Sequence, residues 1–199
     1  MKITKINTYH ASDGRRNNIF VEVETDQGIT GTGEAYSIGP DKSVISMLWE
    51  MEPWFVGQDP ARIEWLLRRA KNTMRFPLGQ VGWSAISAID IALWDIAGKV
   101  AGVPVYVLLG GKTRDKVRVY HAIYGDSPPL LAENARQLLA EGYSAFKTSP
   151  VPSNWRELPW REVLHIADER MRTIRDAIGD SPDLAVDVHV AIRETSQAL

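Results

Sequence analysis

The chain has 199 residues, a formal net charge of −2 and 44% hydrophobic residues. This length is enough for one large or two small domains with a real core, and the weak charge argues against nucleic acid or an anionic membrane surface as the main partner. Cysteine is absent, which excludes disulfides and thiolate chemistry. Because no apolar run approaches the roughly 20 residues that span a bilayer and no secretory signal is visible, we expect a cytoplasmic location.

The first third of the chain alternates polar and apolar residues, as half-buried strands do. The pattern predicts strands at Ile3–Tyr9, Asn18–Glu24 and Ile29–Ala35, with a turn at Asp26–Gly28 between the last two. In the second of these, isoleucine and valine side chains fall on one face. We therefore predict an antiparallel three-stranded meander with one buried face.

The period then changes to that of helices. Asp41 is a plausible N-cap of a first helix, and Asp59, followed by proline, predicts a second at Ala61–Thr73. The best-defined helix starts at Ser84, where apolar residues recur at steps of three and four, and a glycine and a proline after Ala101 stop it. A double glycine before Lys112 then indicates the end of a domain.

The rest of the chain alternates between strand and helix patterns, which favours parallel βα units. The predicted strands are Lys116–Tyr124, Tyr143–Thr148 and Leu184–Val188, and the predicted helices are Leu130–Glu141, Trp160–Ala177 and a start at Glu194–Leu199. These units cannot close a (β/α)₈ barrel, which takes about 250 residues. We expect two domains, residues 1–112 and 113–199, the second an incomplete barrel.

One carboxylate and one imidazole end the last predicted strand. If Leu184–Val188 is a buried strand, alternation places Asp187 and His189 on the same side. A strand-end aspartate suits a hard cation such as Mg²⁺, and a histidine beside it can deliver a proton near neutral pH. Asp187 as a helix cap or ion-pair partner, and His189 as a structural residue, remain alternatives.

Other candidate side chains are cationic or polar. Lys147 ends the preceding predicted strand, so we expect it at the same barrel rim, where an ammonium can bind a substrate carboxylate. A polar loop at Asp13–Asn18, with Arg15 and Asn18 as candidate substrate-binding residues, can close over an anionic substrate or simply connect two strands.

The central helix and the segment after it resemble a known family. The segment Ser84–Gly111 (SAISAIDIALWDIAGKVAGVPVYVLLGG) and the following Arg114–Tyr120 closely resemble the enolase superfamily, in its mandelate racemase and muconate-lactonizing branch. The meander with Gly31-x-Gly33-Glu34 resembles the capping domain of that branch. The resemblance implies an α+β capping domain, with a three-stranded antiparallel meander plus helices, followed by the first three βα units of a TIM-type barrel.

Within that branch, Asp187-Val188-His189 together with Phe146-Lys147 looks most like the acid-sugar dehydratases of the D-galactonate type. The resemblance implies that Asp187 is a Mg²⁺ ligand, that His189 is the general acid for the leaving hydroxyl, and that Lys147 lies near the substrate carboxylate. It also implies a small acid-sugar substrate, a 2-keto-3-deoxy product and a homo-oligomer in the full-length form.

Departures from the family pattern leave two alternatives open. Racemases and cycloisomerases of the branch usually carry Lys-x-Lys on the second barrel strand, whereas this chain has Ser149 at the second position. This favours dehydration over a racemase or epimerase. The family's remaining metal carboxylates and its histidine base have no counterpart in these 199 residues, so a truncated, non-catalytic fragment is the other alternative, and we expect the chain alone to be inactive.

Overall fold

The computed structural model describes residues 1–36, 39–189, 191–192 and 195–198. The chain divides into two compact units, Met1–Thr113 and Arg114–Leu199. The first unit is α+β with an antiparallel sheet, and the second carries a parallel sheet, consistent with the start of a (β/α) barrel. Each unit has its own cluster of buried apolar side chains.

The first unit consists of a three-stranded sheet followed by helices. Its elements are β1 (Ile3–Ser12), β2 (Asn17–Thr25), β3 (Thr30–Ala35), α1 (Asp41–Phe55), α2 (Ile63–Thr73), α3 (Gly79–Ala101) and the short α4 (Val105–Leu108). The strand order is β1-β2-β3, antiparallel throughout. The predicted meander is therefore confirmed, with strands one to three residues longer or shorter at their ends than the sequence pattern indicated.

Alternation along β2 produces the core of this unit. Ile19, Val21 and Val23 are fully buried, and the helices cover the same face of the sheet. On α3, the predicted apolar stripe is buried at Ile86, Ile89, Leu93 and Ile96. Its last member is an exception, since Val100 is 55% exposed at the end of the helix.

Helix α3 approaches β3 so closely that the strand has no room for side chains on that face. A Cβ atom on Gly31 or Gly33 would overlap the backbone carbonyl oxygen of Ala92 or Ala88. By length and composition alone, the 23 residues of α3 pass for a membrane-spanning segment, although no apolar run in the sequence approaches the roughly 20 residues that span a bilayer. Because 56% of its apolar window is buried, the core of the unit accounts for this composition.

All three predicted helix starts in the first unit are wrong in detail, and α3 begins at Gly79, five residues before the predicted Ser84. Pro40 occupies the N-cap of α1, and Asp41 is the first helical residue, with Oδ2 accepting a hydrogen bond from Asn17 Nδ2 at 2.6 Å. Helix α2 begins at Ile63, because Asp59 instead closes a turn in which its Oδ1 accepts from the Ala61 backbone N–H. The predicted stop of α3 is confirmed: Gly102 has a φ of 68°, a left-handed conformation that glycine adopts without strain.

The second unit alternates strands and helices. Its elements are β4 (His121–Ala122), α5 (Pro128–Ala140), β5 (Ala145–Thr148), a 3₁₀ turn (Trp155–Glu157), α6 (Trp160–Ile178), β6 (Asp183–Val186) and α7 (Thr195–Ala198). The three strands are parallel in the order β4-β5-β6. Of the predicted last helix, Glu194 and Leu199 lie outside the described residues.

The outer strands of the parallel sheet differ from the prediction. Strand β4 covers two residues rather than Lys116–Tyr124, because only His121 and Ala122 pair with β5 and the preceding Val117 and Val119 are 69% and 60% exposed. Strand β6 ends at Val186 and is not buried, since Val186 is 53% exposed. Within the described sheet each outer strand pairs with one neighbour, whereas the central β5 pairs with two. The side chain of Phe146 on β5 is accordingly buried.

Candidate functional site

A cavity of about 500 Å³ that is lined in part by charged side chains lies at the carboxyl ends of the three parallel strands. It is built entirely within the second unit, by residues that end the strands or lie in the loops after them and by Arg170 of α6. The lining includes Ala122, Ile123, Gly125, Asp126, Lys147, Thr148, Ser149, Asn154, Arg170, Asp187 and His189. Carboxyl ends of parallel strands are where α/β enzymes place their reactive groups, and the volume suits a small-molecule ligand.

The first pair of reactive groups in this cavity comes from two neighbouring strands. Lys147 lies on β5 opposite Ala185 of β6, and the Asp187 backbone N–H continues the ladder by donating to the Thr148 carbonyl at 2.9 Å. As a result, Lys147 Nζ donates to Asp187 Oδ2 at 3.0 Å. Both side chains are about one-third exposed, so the pair stands at the surface of the cavity.

His189 reaches the same carboxylate by a route that strand alternation did not anticipate. The strand has ended before it, and His189 has a φ of 49°, in the left-handed region. Its backbone N–H donates to Asp187 Oδ1 at 2.9 Å, and its Nδ1 lies 2.9 Å from the same oxygen. A turn closed by the aspartate side chain therefore brings the two side chains together, rather than a shared strand face.

These contacts set the ionisation of the cluster. The pKa of the Asp187 carboxyl is held below its ordinary value, first by the hydrogen bond from the His189 backbone N–H and then by that from Lys147. The hydrogen bond to Asp187 raises the pKa of the Lys147 ammonium. At neutral pH the carboxylate and the ammonium are therefore both charged, and the 71% exposed imidazole beside them is open to a ligand.

Two further side chains of the cavity region were not found from the sequence. The Tyr120 ring has its centroid 5.3 Å from Lys147 Nζ, and Tyr120 immediately precedes β4. Arg170 lies in α6, where it shares a helix face with the buried Val163 and Ile174. A charged residue within that apolar stripe was the signal available in the sequence.

Asp187 fits one position of a Mg²⁺ site but does not complete one. Magnesium prefers hard oxygen ligands in octahedral geometry and keeps waters where the protein supplies few, and a carboxylate is such a ligand. In the described part of the chain, no group of three or more His, Cys, Asp or Glu side chains could hold a metal ion. A metal bound here would need further oxygen ligands, from water, from a substrate or from other protein groups.

The other predicted substrate-binding residues lie in the first unit. Arg15 is exposed in a tight turn between β1 and β2, where Asp13 Oδ1 accepts from the backbone N–H groups of Arg15 and Arg16 at 2.8 and 2.6 Å. Asn18 is not in this loop but within β2, paired with Ala11. Their role in substrate binding stays a prediction.

A second cavity, of about 570 Å³, lies in the first unit, between the start of α2 and α3. Its lining is mainly apolar, and its charged side chains are those of Arg62 and Glu64. The Arg62 guanidinium stacks on the Trp65 ring at 4.0 Å. Since this cavity does not combine an acid, a base and a cation, the cavity of the second unit is the candidate functional site.

Comparisons with known proteins agree with this architecture. Residues 4–110 match the family model of the mandelate racemase / muconate lactonizing enzyme N-terminal domain. D-galactonate dehydratases of Xanthomonas euvesicatoria and Ralstonia pickettii are 38% and 37% identical over 189 residues, which are 95% of this chain and 48% of each relative. The chain thus spans about half the length of the curated relatives it matches.

Solved structures resemble the whole chain. An enolase of Agrobacterium radiobacter, proposed to be a galactarate dehydratase and crystallised with sodium and L-malate, superposes with a TM-score of 0.87 at 38% identity, over 100% of this chain and 51% of that one. A protein of Mesorhizobium loti, proposed to be a dehydratase, gives 0.86 at 38% identity, over 94% and 53%.

Proposed function

Because the chain belongs to the mandelate racemase / muconate lactonizing enzyme family, we propose that it serves the Mg²⁺-dependent dehydration of an acid sugar to a 2-keto-3-deoxy acid. One observation carries this proposal: Lys147, Asp187 and His189 converge at the carboxyl edge of a parallel sheet. The D-galactonate dehydratases among the relatives support the reaction type. The acid sugar itself, and a homo-oligomeric, cytoplasmic enzyme, are parts of the proposal.

Asp187 would hold the metal with one carboxylate oxygen. When bound, Mg²⁺ would supply positive charge that stabilises the enediolate formed after removal of the α-proton, as metal ions do throughout the enolase superfamily. Lys147 binds the substrate carboxylate through its ammonium, adding charge where the negative charge develops. The residue that takes the α-proton is not among these groups.

His189 would donate the proton that lets the β-hydroxyl leave as water. Its Nδ1 faces Asp187 Oδ1 at 2.9 Å, so this nitrogen is held by the carboxylate. The proton for the leaving group then comes from Nε2, which an imidazolium carries in addition to the Nδ1 proton. Asp187 therefore has a second task, which is to orient the imidazole.

The test is an assay for a 2-keto acid, with a set of six-carbon acid sugars and Mg²⁺. We would assay the chain by itself and fused to the part of the Xanthomonas euvesicatoria relative that its match does not cover. We expect little turnover from the chain by itself, because one carboxylate holds Mg²⁺ poorly, and dehydration by the fusion. A folded, Mg²⁺-binding fusion that forms no 2-keto acid would refute the proposal.

The same assay in deuterium oxide separates dehydration from racemisation or epimerisation. A racemase or epimerase exchanges the α-proton for deuterium without releasing water. Ser149, at the position where a second lysine would supply a base, argues against that reaction, since a serine hydroxyl is far too weak a base to remove an α-proton. Exchange without any 2-keto product would favour the racemase and contradict the dehydratase.

A further inference from the structure

The cavity contains a second cation, Arg170, whose charge is not matched by a close anion. Its Nη2 donates to the Gly125 carbonyl at 2.9 Å, and its Nε is buried with no hydrogen-bond acceptor. Over the described ranges, Arg170 makes no ion pair. Burial lowers the pKa of the guanidinium, and the charge of Asp126 partly offsets this, but an arginine stays cationic.

Keeping such a group inside the fold is costly. A half-buried charge without a close counter-charge loses hydration, and here the Gly125 carbonyl and the charge of Asp126 replace only part of it. An apolar side chain of similar length would fill the same space on the buried face of α6 without that cost. Since the guanidinium also lines the cavity, a role toward a bound anion explains why this position carries a charge.

The position of Arg170 relative to Lys147 and Asp187 follows from the strand order. Gly125 follows β4, Lys147 lies on the central β5, and Asp187 and His189 follow β6. The Arg170 contact is therefore on the β4 side of the cavity, and the metal-ligand candidate is on the β6 side. Neighbouring strands lie about 4.8 Å apart, so the two sides are roughly 10 Å apart. This suits a ligand whose charged ends are separated by a short carbon chain.

Resting on the proposed function, we infer that Arg170 binds a second carboxylate, so that the site prefers an acid sugar with a carboxylate at each end (an aldarate) to one with a single carboxylate (an aldonate). Asp126, which lies next to Gly125 in the loop after β4, would instead favour a terminal hydroxyl on the ligand. However, Asp126 is exposed and Arg170 is half-buried. Water screens the aspartate more effectively, so the field of the arginine dominates.

The experiment compares binding of galactarate and galactonate to the chain, with Mg²⁺ present, by NMR titration. We expect galactarate to bind roughly tenfold more tightly, the size expected for one charge-assisted contact. The Arg170 Nε–H signal should move with galactarate and not with galactonate. In Arg170→Met the preference should disappear because galactarate binding weakens to the level of galactonate.

Arg172→Met is the matched control. Arg172 lies on the same helix, but it is exposed and its Nε donates to Asp168 at 2.7 Å, so its loss should leave the preference unchanged. Lys147→Met should weaken binding of both acids.

The outcomes separate the two proposals. An equal affinity for both acids in the wild type, or a preference that survives in Arg170→Met, overturns the role of Arg170 while Lys147→Met still tests the proposed function. If Lys147→Met binds both acids as the wild type does, the proposed function fails, and the inference on Arg170 fails with it. Absence of binding by a folded wild-type chain also refutes both.

Discussion

Lys147 and Asp187 are 40 residues apart in the chain, yet the ammonium Nζ lies 3.0 Å from the carboxylate Oδ2. The contact exists because β5 and β6 are adjacent and parallel, so Lys147 near the end of β5 and Asp187 directly after β6 lie at the same edge of the sheet. The candidate site is thus a product of sheet order rather than of any local motif.

Removing the lysine should change the ionisation of the aspartate. In Lys147→Met we expect the pKa of Asp187 to rise, because one of the two hydrogen bonds that favour its carboxylate is lost. The hydrogen bond from the His189 backbone is the larger cause, so the pKa should stay below the ordinary value of 3.8. Carboxyl ¹³C NMR titration measures this. Lys99→Met is the control: it removes the lysine partner of Asp95 and should leave the titration of Asp187 unchanged. An unchanged Asp187 titration in Lys147→Met would contradict the expectation.

A second prediction concerns Asp90, a half-buried carboxyl on α3. Burial, and next the charge of Glu64, raise its pKa above 3.8, and its Oδ1 has no hydrogen-bond partner. The folded chain therefore binds this proton more tightly than the unfolded chain. This contribution to stability is complete below pH 3.8 and is lost as pH rises through the folded pKa. Asp90→Asn should raise the melting temperature at pH 7 relative to the wild type.

Melting temperatures measured across pH test this direction. The higher melting temperature of Asp90→Asn at pH 7 should disappear in acid, where the wild-type carboxyl is protonated. Asp95→Asn on the same helix is the contrasting control. Asp95 Oδ2 accepts from the Thr32 backbone N–H at 2.9 Å and from Lys99 Nζ at 2.8 Å, so its loss should lower stability at pH 7 by about 1 kcal/mol. A destabilised Asp90→Asn at neutral pH would contradict the assignment.

The contact between β3 and α3 yields a third prediction. In Gly33→Ala the new methyl group would meet backbone atoms of Ala88, which cannot rotate away. We expect a loss of about 3 kcal/mol in the free energy of unfolding, measured by urea denaturation. Gly14→Ala has open space around the new Cβ but a φ of 84°, so it should cost only about 1 kcal/mol. Equal costs would show that backbone strain, not overlap, is limiting.

His189 is predicted to act on the leaving group alone. In the fusion protein, His189→Gln should slow formation of the 2-keto acid by about 10²- to 10⁴-fold, with much less effect on exchange of the α-proton with deuterium. His165→Gln is the control, since His165 is exposed on α6. If exchange and water loss fall together, His189 has another role, such as positioning the substrate.

The predictability of this fold varied with how many partners each element has. The β2 strand is paired on both edges and packed on one face, so the alternation of Ile19, Val21 and Val23 was a sufficient guide. The apolar stripe of α3 was likewise a sufficient guide to its buried face and to its end, although the helix begins five residues before the predicted start. The outer strands of the parallel sheet were predicted too long or too buried, because a strand-like pattern such as Lys116–Tyr124 does not reveal how many of its residues pair with a neighbouring strand.

The placement of the site side chains was also only partly predictable from the sequence pattern. Strand periodicity predicted that Asp187 and His189 would lie together, but the responsible structure is a turn with a left-handed residue, which alternation cannot anticipate. Arg170 was overlooked because a single arginine in a helix is read as a solvated side chain. Its place among the apolar residues of α6 indicated a buried position, but the structure was needed to show that it lines the cavity.

The turn that closes on Asp187 also limits how this cluster can be transferred or redesigned. Its imidazole is placed by a main-chain bend that the neighbouring carboxylate holds shut, so copying the two side chains onto an ordinary strand of another barrel would leave the histidine aimed elsewhere. A successful graft would have to carry the three-residue segment as one piece, together with an amine from the adjoining strand.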